Sequence, residues 1–349
     1  MMSYRFIFLI LLVLSNSVLA ADEIRMPENA PRPLKIGVAM TVNTISKINE
    51  EAGTIEANVD LQLRWKDAGL AFNPQETGMN RLEFNNEFAE NKLKDVWTPA
   101  LTLANATIHH KKQVLFIYAD GTVLLIQRVK GVFDVKFKLE AFPFDTESFT
   151  VRIVSERYNT NQIELTHNQY DINDSGLRNG IKISGWKPEQ LNFTSLSTQG
   201  WDGRYYPETQ ANIIVTRDPQ GHLLLILMPF FLVTLLPTFA MLYTKIPLQF
   251  QLNYTGGAIL SLIALTFTYK VRYPALTSDS IIVQLILIGA IYISAILLLN
   301  ITLFNREQSN TLFSNRFITE EIISYLKWAM PLALLGLVLS RVMLTALIV

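Results

Sequence analysis

The sequence predicts a chain in two parts, an all-β sandwich of about ten strands followed by an all-α bundle of four membrane-spanning helices. Three observations carry this. Residues 33–218 alternate apolar and polar side chains over strand-length runs broken by turn signals. Residues 222–349 fall into four long apolar segments. Charged residues make up 17% of the chain against about 25% in an average soluble domain, and the deficit lies in the second part.

Residues 1–20 read as a secretory signal. "MMSYR" is a short positive start and "FIFLILLVL" an apolar core shorter than the roughly 20 residues that span a bilayer. "SVLA" sets Val18 and Ala20 at the small-residue positions before a cut. The mature chain then starts near Ala21, and residues 21–221 lie on the outer, periplasmic side. Lys plus Arg and Asp plus Glu are 30 each, a zero balance that argues against nucleic acid as a partner. The absence of cysteine removes disulfides and thiolate chemistry.

In the outer part, "GTIEANVDLQLRW", "KQVLFIYADGTVLLIQRV", "FDVKFKLEAF", "SFTVRIVS" and "QANIIVTR" are the strand runs. Asp120-Gly121 joins two of them as a hairpin, and "NTNQ" and "DGRYYPETQ" read as loops. Many short strands with regular turns point to an immunoglobulin-like sandwich.

The membrane spans are placed at about 222–244, 249–271, 281–304 and 322–349. The second is the most polar, with Asn253, Tyr254, Thr255, Gly256, Gly257, Ser261, Thr266 and Thr268, so it must face protein or water. Asn253, Gly257, Leu260, Ala264, Phe267 and Val271 recur at four and three residues and share one helical face. A ring of such helices makes a pore that is polar or small at its inner end and apolar from Leu260 outward, the kind of constriction that gates by dewetting. The alternative is a partly polar helix inside a monomeric bundle. Lys270 and Arg272 fall outside while Lys245, Arg306 and Arg316 fall inside, so orientation rests on the signal peptide. Pro229 and Pro237 kink the first span. "NREQSNTLFSNRFITEE", 305–321, is the sizeable inner connection.

Enzyme chemistry finds little support. The four histidines form no HExxH, and no P-loop pattern occurs. His109 and His110 are adjacent on a strand and point to opposite faces. "YDINDSG", with Asp171 and Asp174, echoes a calcium loop incompletely and reads better as a turn. No cofactor or metal is expected.

The chain resembles pentameric ligand-gated ion channels of the prokaryotic branch over nearly all of residues 33–349. "NVDLQLRW" is similar to the second strand of the receptor domain. "VWTPALTLAN", carrying Trp97 and Pro99, is similar to its first binding loop. "FPFDTESF" matches the signature loop that cysteines close in animal receptors, with Val135 and Phe149 at the cysteine positions. Arg217 before the first span, Pro229 within it, "LSLIALTF" and "YPALTS" fit the same pattern.

The resemblance implies a homopentamer in a bacterial inner membrane, in contact with lipid. An agonist at subunit interfaces would open a pore lined by the second span, with permeating small ions and, by resemblance to other bacterial members, cations favoured. The alternative function is a membrane-anchored sensor or binding protein without conduction. Aromatic-cage positions fall on Ala104, Glu156 and Asp60, and only the third loop keeps its aromatics, Trp201, Tyr205 and Tyr206, with Tyr158 nearby. The expected ligand-binding set is therefore Asp60, Asn105, Glu156, Tyr158, Trp201, Tyr205 and Tyr206. Its ligand would be an amine, a divalent cation or a proton. The expected coupling set is Glu50, Phe142, Pro143, Phe144, Asp145, Arg217, Tyr273 and Pro274, with Asp145 and Glu50 flanking Arg217. Phe142 and Phe144 would enter the apolar zone above the spans, and pairing of the Val135 and Phe149 arms would close the loop.

Overall fold

A computed structural model describes residues 25–28, 30–243, 246–308 and 316–348. The signal segment 1–20, Ala21 and Lys245 lie outside the described residues. So does 309–315 of the inner connection.

Eleven strands form two sheets among the described residues. They are β1 (Leu34–Asn49), β2 (Thr54–Lys66), β3 (Arg81–Asn85), β4 (Leu101–Leu103), β5 (Ala106–Tyr118), β6 (Thr122–Asp134), β7 (Thr146–Ser155), β8 (Ile163–Thr166), β9 (Gly176–Leu177), β10 (Trp186–Gln199) and β11 (Tyr205–Arg217). One sheet runs β3-β5-β6-β2-β1-β8, with β9 also on β1, and the other β10-β11-β7-β4. On β2 every second residue from Ile55 to Trp65 is buried, the period that one core-facing sheet face demands. Those residues meet Phe149, Val151 and Ile153 of β7 and Ala211, Ile213 and Val215 of β11 in one core. β10 is an edge strand, which tolerates its Pro188.

Three short helices, α1 (Pro74–Thr77), α2 (Glu87–Lys92) and α3 (Gln169–Asn173), lie in the connections. "YDINDSG" is the turn expected. Asn168 and Asp171 cap α3 reciprocally, and Asp171 also receives Arg64 at 2.6 Å. The β5–β6 hairpin closes through Ala119-Asp120-Gly121. Gly121 adopts φ 81°, and a Cβ there would lie 2.4 Å from the Asp67 carbonyl oxygen.

Two readings need correction. In "FDVKFKLEAF" the strand ends at Asp134; the Val135 N–H still donates to the Gly53 carbonyl at 2.8 Å, the last rung of the β2–β6 ladder, and the chain then turns into the loop. "YYPETQ" is not loop. β11 already pairs with β10 from Tyr205 onward.

Four long helices follow: α4 (Pro219–Leu242), α5 (Leu248–Arg272), α6 (Ile281–Gln308) and α7 (Arg316–Ile348). Each contains a stretch long and apolar enough to cross a membrane, and α5 is the least apolar. α4 starts three residues before His222 because Asp218 caps it, accepting the Gln220 N–H at 3.2 Å, with Pro219 in the first turn. α6 and α7 extend into the inner connection, past 304 and before 322. On α5 the hydroxyls of Thr255, Thr266 and Thr268 each donate to the carbonyl four residues back, which hides their polarity.

Candidate functional site

Three segments meet at one end of the four-stranded sheet. β4 pairs Leu101 with Ser155, and the Thr102 hydroxyl donates to Glu156 Oε1 at 3.0 Å. The Thr160 N–H donates to the Tyr205 carbonyl at 2.9 Å and ties the segment after β7 to the arm between β10 and β11. The tip of that arm is organised by Asp202, which receives the Arg204 N–H at 3.0 Å and the Tyr206 O–H at 2.9 Å. The Arg204 N–H, helped by the Tyr206 O–H, holds the Asp202 carboxyl below the usual range, and Asp202 in turn pushes the Tyr206 phenol up. Trp201 at the tip is fully exposed and Tyr205 is 55% exposed. Below the arm Arg152 grips Glu208 with two bonds of 2.7 Å. Glu156 and the Trp201–Tyr206 arm thus share one end of the four-stranded sheet.

Three expected ligand-binding residues are employed elsewhere. Tyr158 is buried, and its hydroxyl accepts the Trp97 indole N–H at 2.8 Å. It completes an aromatic run from Trp65 through Trp97 inside the core and cannot cap a surface ligand. The Asn105 amide is spent on backbone. It donates to the Asp134 and Thr150 carbonyls at 2.8 Å each and accepts the Arg152 N–H at 2.9 Å, stapling the two sheets together. Asp60 is clamped by Arg128 through two bonds of 2.7 Å. Partial burial works against its ionisation, but the Arg128 contact prevails and holds the carboxyl below its usual range. A carboxylate so paired is neither a free cation ligand nor a proton reader near neutrality.

The second constellation lies where the sandwich meets the helices. Arg217 ends β11 with its side chain wholly buried. Nε and one terminal nitrogen bond the two Asp145 oxygens at 2.8 and 3.0 Å, and the other terminal nitrogen bonds Glu50 at 2.8 Å. The guanidinium also stacks on Trp186 at 4.0 Å and Phe142 at 4.6 Å. Phe142, joined to Pro143 by a cis peptide, is fully buried and packs on Tyr273 at 4.9 Å and on His222 at 5.6 Å. With Leu139 it enters the core formed by Ile226, Phe230, Ile281 and Leu285 of α4 and α6. Phe144 is only half-buried and Pro274 is exposed, so Phe142 does the docking expected of both phenylalanines.

Val135 and Phe149 do not pair. Val135 bonds Gly53, and Phe149 pairs with Ile213 of the other sheet. What closes the loop is the Lys138 N–H on the Glu147 carboxylate at 2.7 Å, with Phe137 and Phe149 in edge contact at 5.5 Å.

On α5 the residues Asn253, Gly257, Leu260, Ala264, Phe267 and Val271 are all exposed on the protomer. Thr255, Ala258 and Leu262 are buried on the roughly opposite side, where α5 meets α4 and α6. A family model described as "Neurotransmitter-gated ion-channel ligand binding domain" matches residues 15–219. The chain belongs to this family.

Among its relatives, a proton-gated ion channel of Gloeobacter violaceus is 24% identical over 49% of this chain and 45% of that protein. An acetylcholine-gated chloride channel subunit of Caenorhabditis elegans is 27% identical over 39% of this chain and 30% of that subunit. The glycine receptor beta subunit of Rattus norvegicus is 26% identical over 44% and 31%. The chain spans less than half the length of each of these relatives. With four apolar helices behind its ligand-binding domain, this family member is a multi-pass membrane protein.

Sequence reasoning missed Arg128, Asp202, Trp186, Leu139 and Glu147. Arg128 and Trp186 depend on cross-strand register, which no local pattern displays. Glu147 had a signal, an acid at an inward position of a strand whose neighbours are apolar.

Proposed function

We propose that five copies of this chain form a ligand-gated ion channel of the bacterial inner membrane. The observation that carries this reading is the unbroken physical path from the sandwich to α5. β7, with Glu156 just past its far end, starts directly after Asp145, and β11, which begins at the Tyr205–Tyr206 arm, ends at Arg217. Asp145 and Arg217 are clamped to each other, and the adjoining Phe142 packs on Tyr273, the residue that caps α5. A displacement at the aromatic arm therefore reaches the pore helix through strands and a buried ion pair. An agonist that binds the open arrangement more tightly shifts the population toward it.

The ligand is a small amine, seated by Glu156, Trp201, Tyr205 and Tyr206 at the interface with a neighbouring copy. The stripe from Asn253 to Val271 lines the pore, with Leu260, Ala264, Phe267 and Val271 as its apolar upper part. Small ions pass, cations favoured. Reconstitution of the purified chain in lipid bilayers tests this. Steps of small amines should elicit currents where steps of divalent cations or pH alone do not, and the reversal potential in a salt gradient should report cation preference. Ligand binding with no conductance would leave a membrane-anchored binding protein instead.

A further inference from the structure

The junction buries a carboxyl group that the coupling path leaves without a role. Glu147 is 2% exposed on β7, two residues beyond Asp145. Its Oε1 accepts the Lys138 N–H, and its partner across the ladder on β11 is the uncharged Val215. The charged groups that act on it are Lys138 from the loop, Asp145 from its own strand and Arg217 from β11. Arg217 is already committed to Asp145 and Glu50. On β10, Lys187 and Glu189 are exposed, and Glu189 accepts the Thr216 hydroxyl at 2.6 Å. His222 packs edge-on against Phe142. The Lys138 ammonium belongs to an exposed residue. The enclosed cation is Arg217, and Asp145, Glu50 and Glu147 all draw on its field. Glu50 Oε2 is itself buried without a partner.

We propose that Glu147 is a proton-binding site that sets how firmly the Leu139–Asp145 loop grips the membrane domain. With the proton on, Arg217 is shared by Asp145 and Glu50 alone, and the loop stays docked on Tyr273. With the proton off, a further buried carboxylate repels Asp145 and competes for Arg217. Water then enters to solvate it, which opens the Phe137–Phe149–Trp186 packing above the loop.

The chemistry of the site agrees. Burial, reinforced by Asp145 and opposed by the Lys138 N–H and Arg217, pushes the Glu147 carboxyl from 4.5 up to about 7. A carboxyl raised on folding holds a proton in the folded junction that the unfolded chain has already released. Its contribution to stability is therefore complete below about pH 4.5, falls as pH rises and levels off above about pH 7.

The regulatory part of this inference rests on the channel reading, and the test separates the two. Infrared difference spectra of the purified full chain, titrated from about pH 5 to about pH 8.5, read the carbonyl band of a protonated carboxylic acid. The wild-type chain should lose that band with a midpoint near neutrality and lose thermal stability over the same interval. Glu147→Gln, which mimics the protonated form, should lack the band and flatten the stability profile, whereas Glu140→Gln should behave as wild type. An unchanged band in Glu147→Gln, or a wild-type thermal midpoint indifferent to pH, overturns the site. Currents from Glu147→Gln should lose their pH dependence near neutrality. If wild type conducts at no pH, the channel reading fails while the infrared titration still decides the proton site.

Discussion

Replacing Arg217 with alanine removes the centre of the junction. The side chain is wholly enclosed, makes three charge-assisted bonds to Asp145 and Glu50 and stacks on Trp186 at 4.0 Å. Deleting one partner of a buried pair leaves the other as an uncompensated charge, at a cost of about 3–5 kcal/mol. Lost stacking on Trp186 adds about 1–2 kcal/mol. The sum of these is a large share of the roughly 5–15 kcal/mol that stabilises a domain, so poor yield of assembled protein is expected. The assay is denaturant unfolding of detergent-solubilised chain followed by tryptophan fluorescence. Arg217→Lys should fall between wild type and Arg217→Ala, because it keeps the charge but loses the bidentate fork and the stacking. In the pair Arg217→Ala with Asp145→Ala, the double variant should be less damaged than the sum of the singles by about 1–3 kcal/mol. Strict additivity, or an Arg217→Ala loss within about 0.5 kcal/mol of wild type, refutes the reasoning.

Two further outcomes follow from the sandwich. Asn105→Ala orphans two carbonyls and one N–H that the amide now satisfies and should cost about 3 kcal/mol in unfolding. Protein that does assemble should keep its agonist midpoint, whereas a shift of tenfold or more would return Asn105 to the binding set. Glu156→Gln keeps the Thr102 contact but removes the charge and should raise the amine concentration for half-maximal current by about tenfold, equal to about 1.4 kcal/mol. An unchanged concentration–response curve would remove Glu156 from the site.

Legibility in the sequence followed the range of the interaction. The period-two runs of β2 and β7 and the apolar spans are local patterns, and the strands and helices lie close to where those patterns place them. The Glu50–Asp145–Arg217 cluster was legible through resemblance, because the motif order carried the contacts with it. Asp60, Asn105 and Tyr158 stand near binding-loop positions, and the resemblance therefore implies a ligand-facing role for them. Their actual partners, Arg128, the Asp134 and Thr150 carbonyls and Trp97, are 29 or more residues away along the chain and are set by sheet register. β1 escaped the strand runs because its burial is nearly continuous from Ile36 to Met40 and shows no alternation. The closure of the signature loop was missed for a similar reason. With no cysteine to mark it, its closing contacts are a backbone N–H on Glu147 and the edge of one phenylalanine ring on another.

The central claim is that the exposed stripe of α5 lines an ion pore opened from the sandwich. The natural chain has no cysteine, so a single introduced thiol is the one reactive group of its kind. Leu260→Cys places it at the start of the apolar part of the stripe, where the residue is 70% exposed on the protomer. In bilayers, agonist-evoked current through Leu260→Cys should be blocked by a charged, water-soluble thiol reagent, and block should be faster with agonist present. Met228→Cys, at an exposed position of α4 outside the proposed pore stripe, should be insensitive. Current through Leu260→Cys that ignores the reagent while Met228→Cys is blocked, or no current from either variant or from the natural chain, would contradict the account.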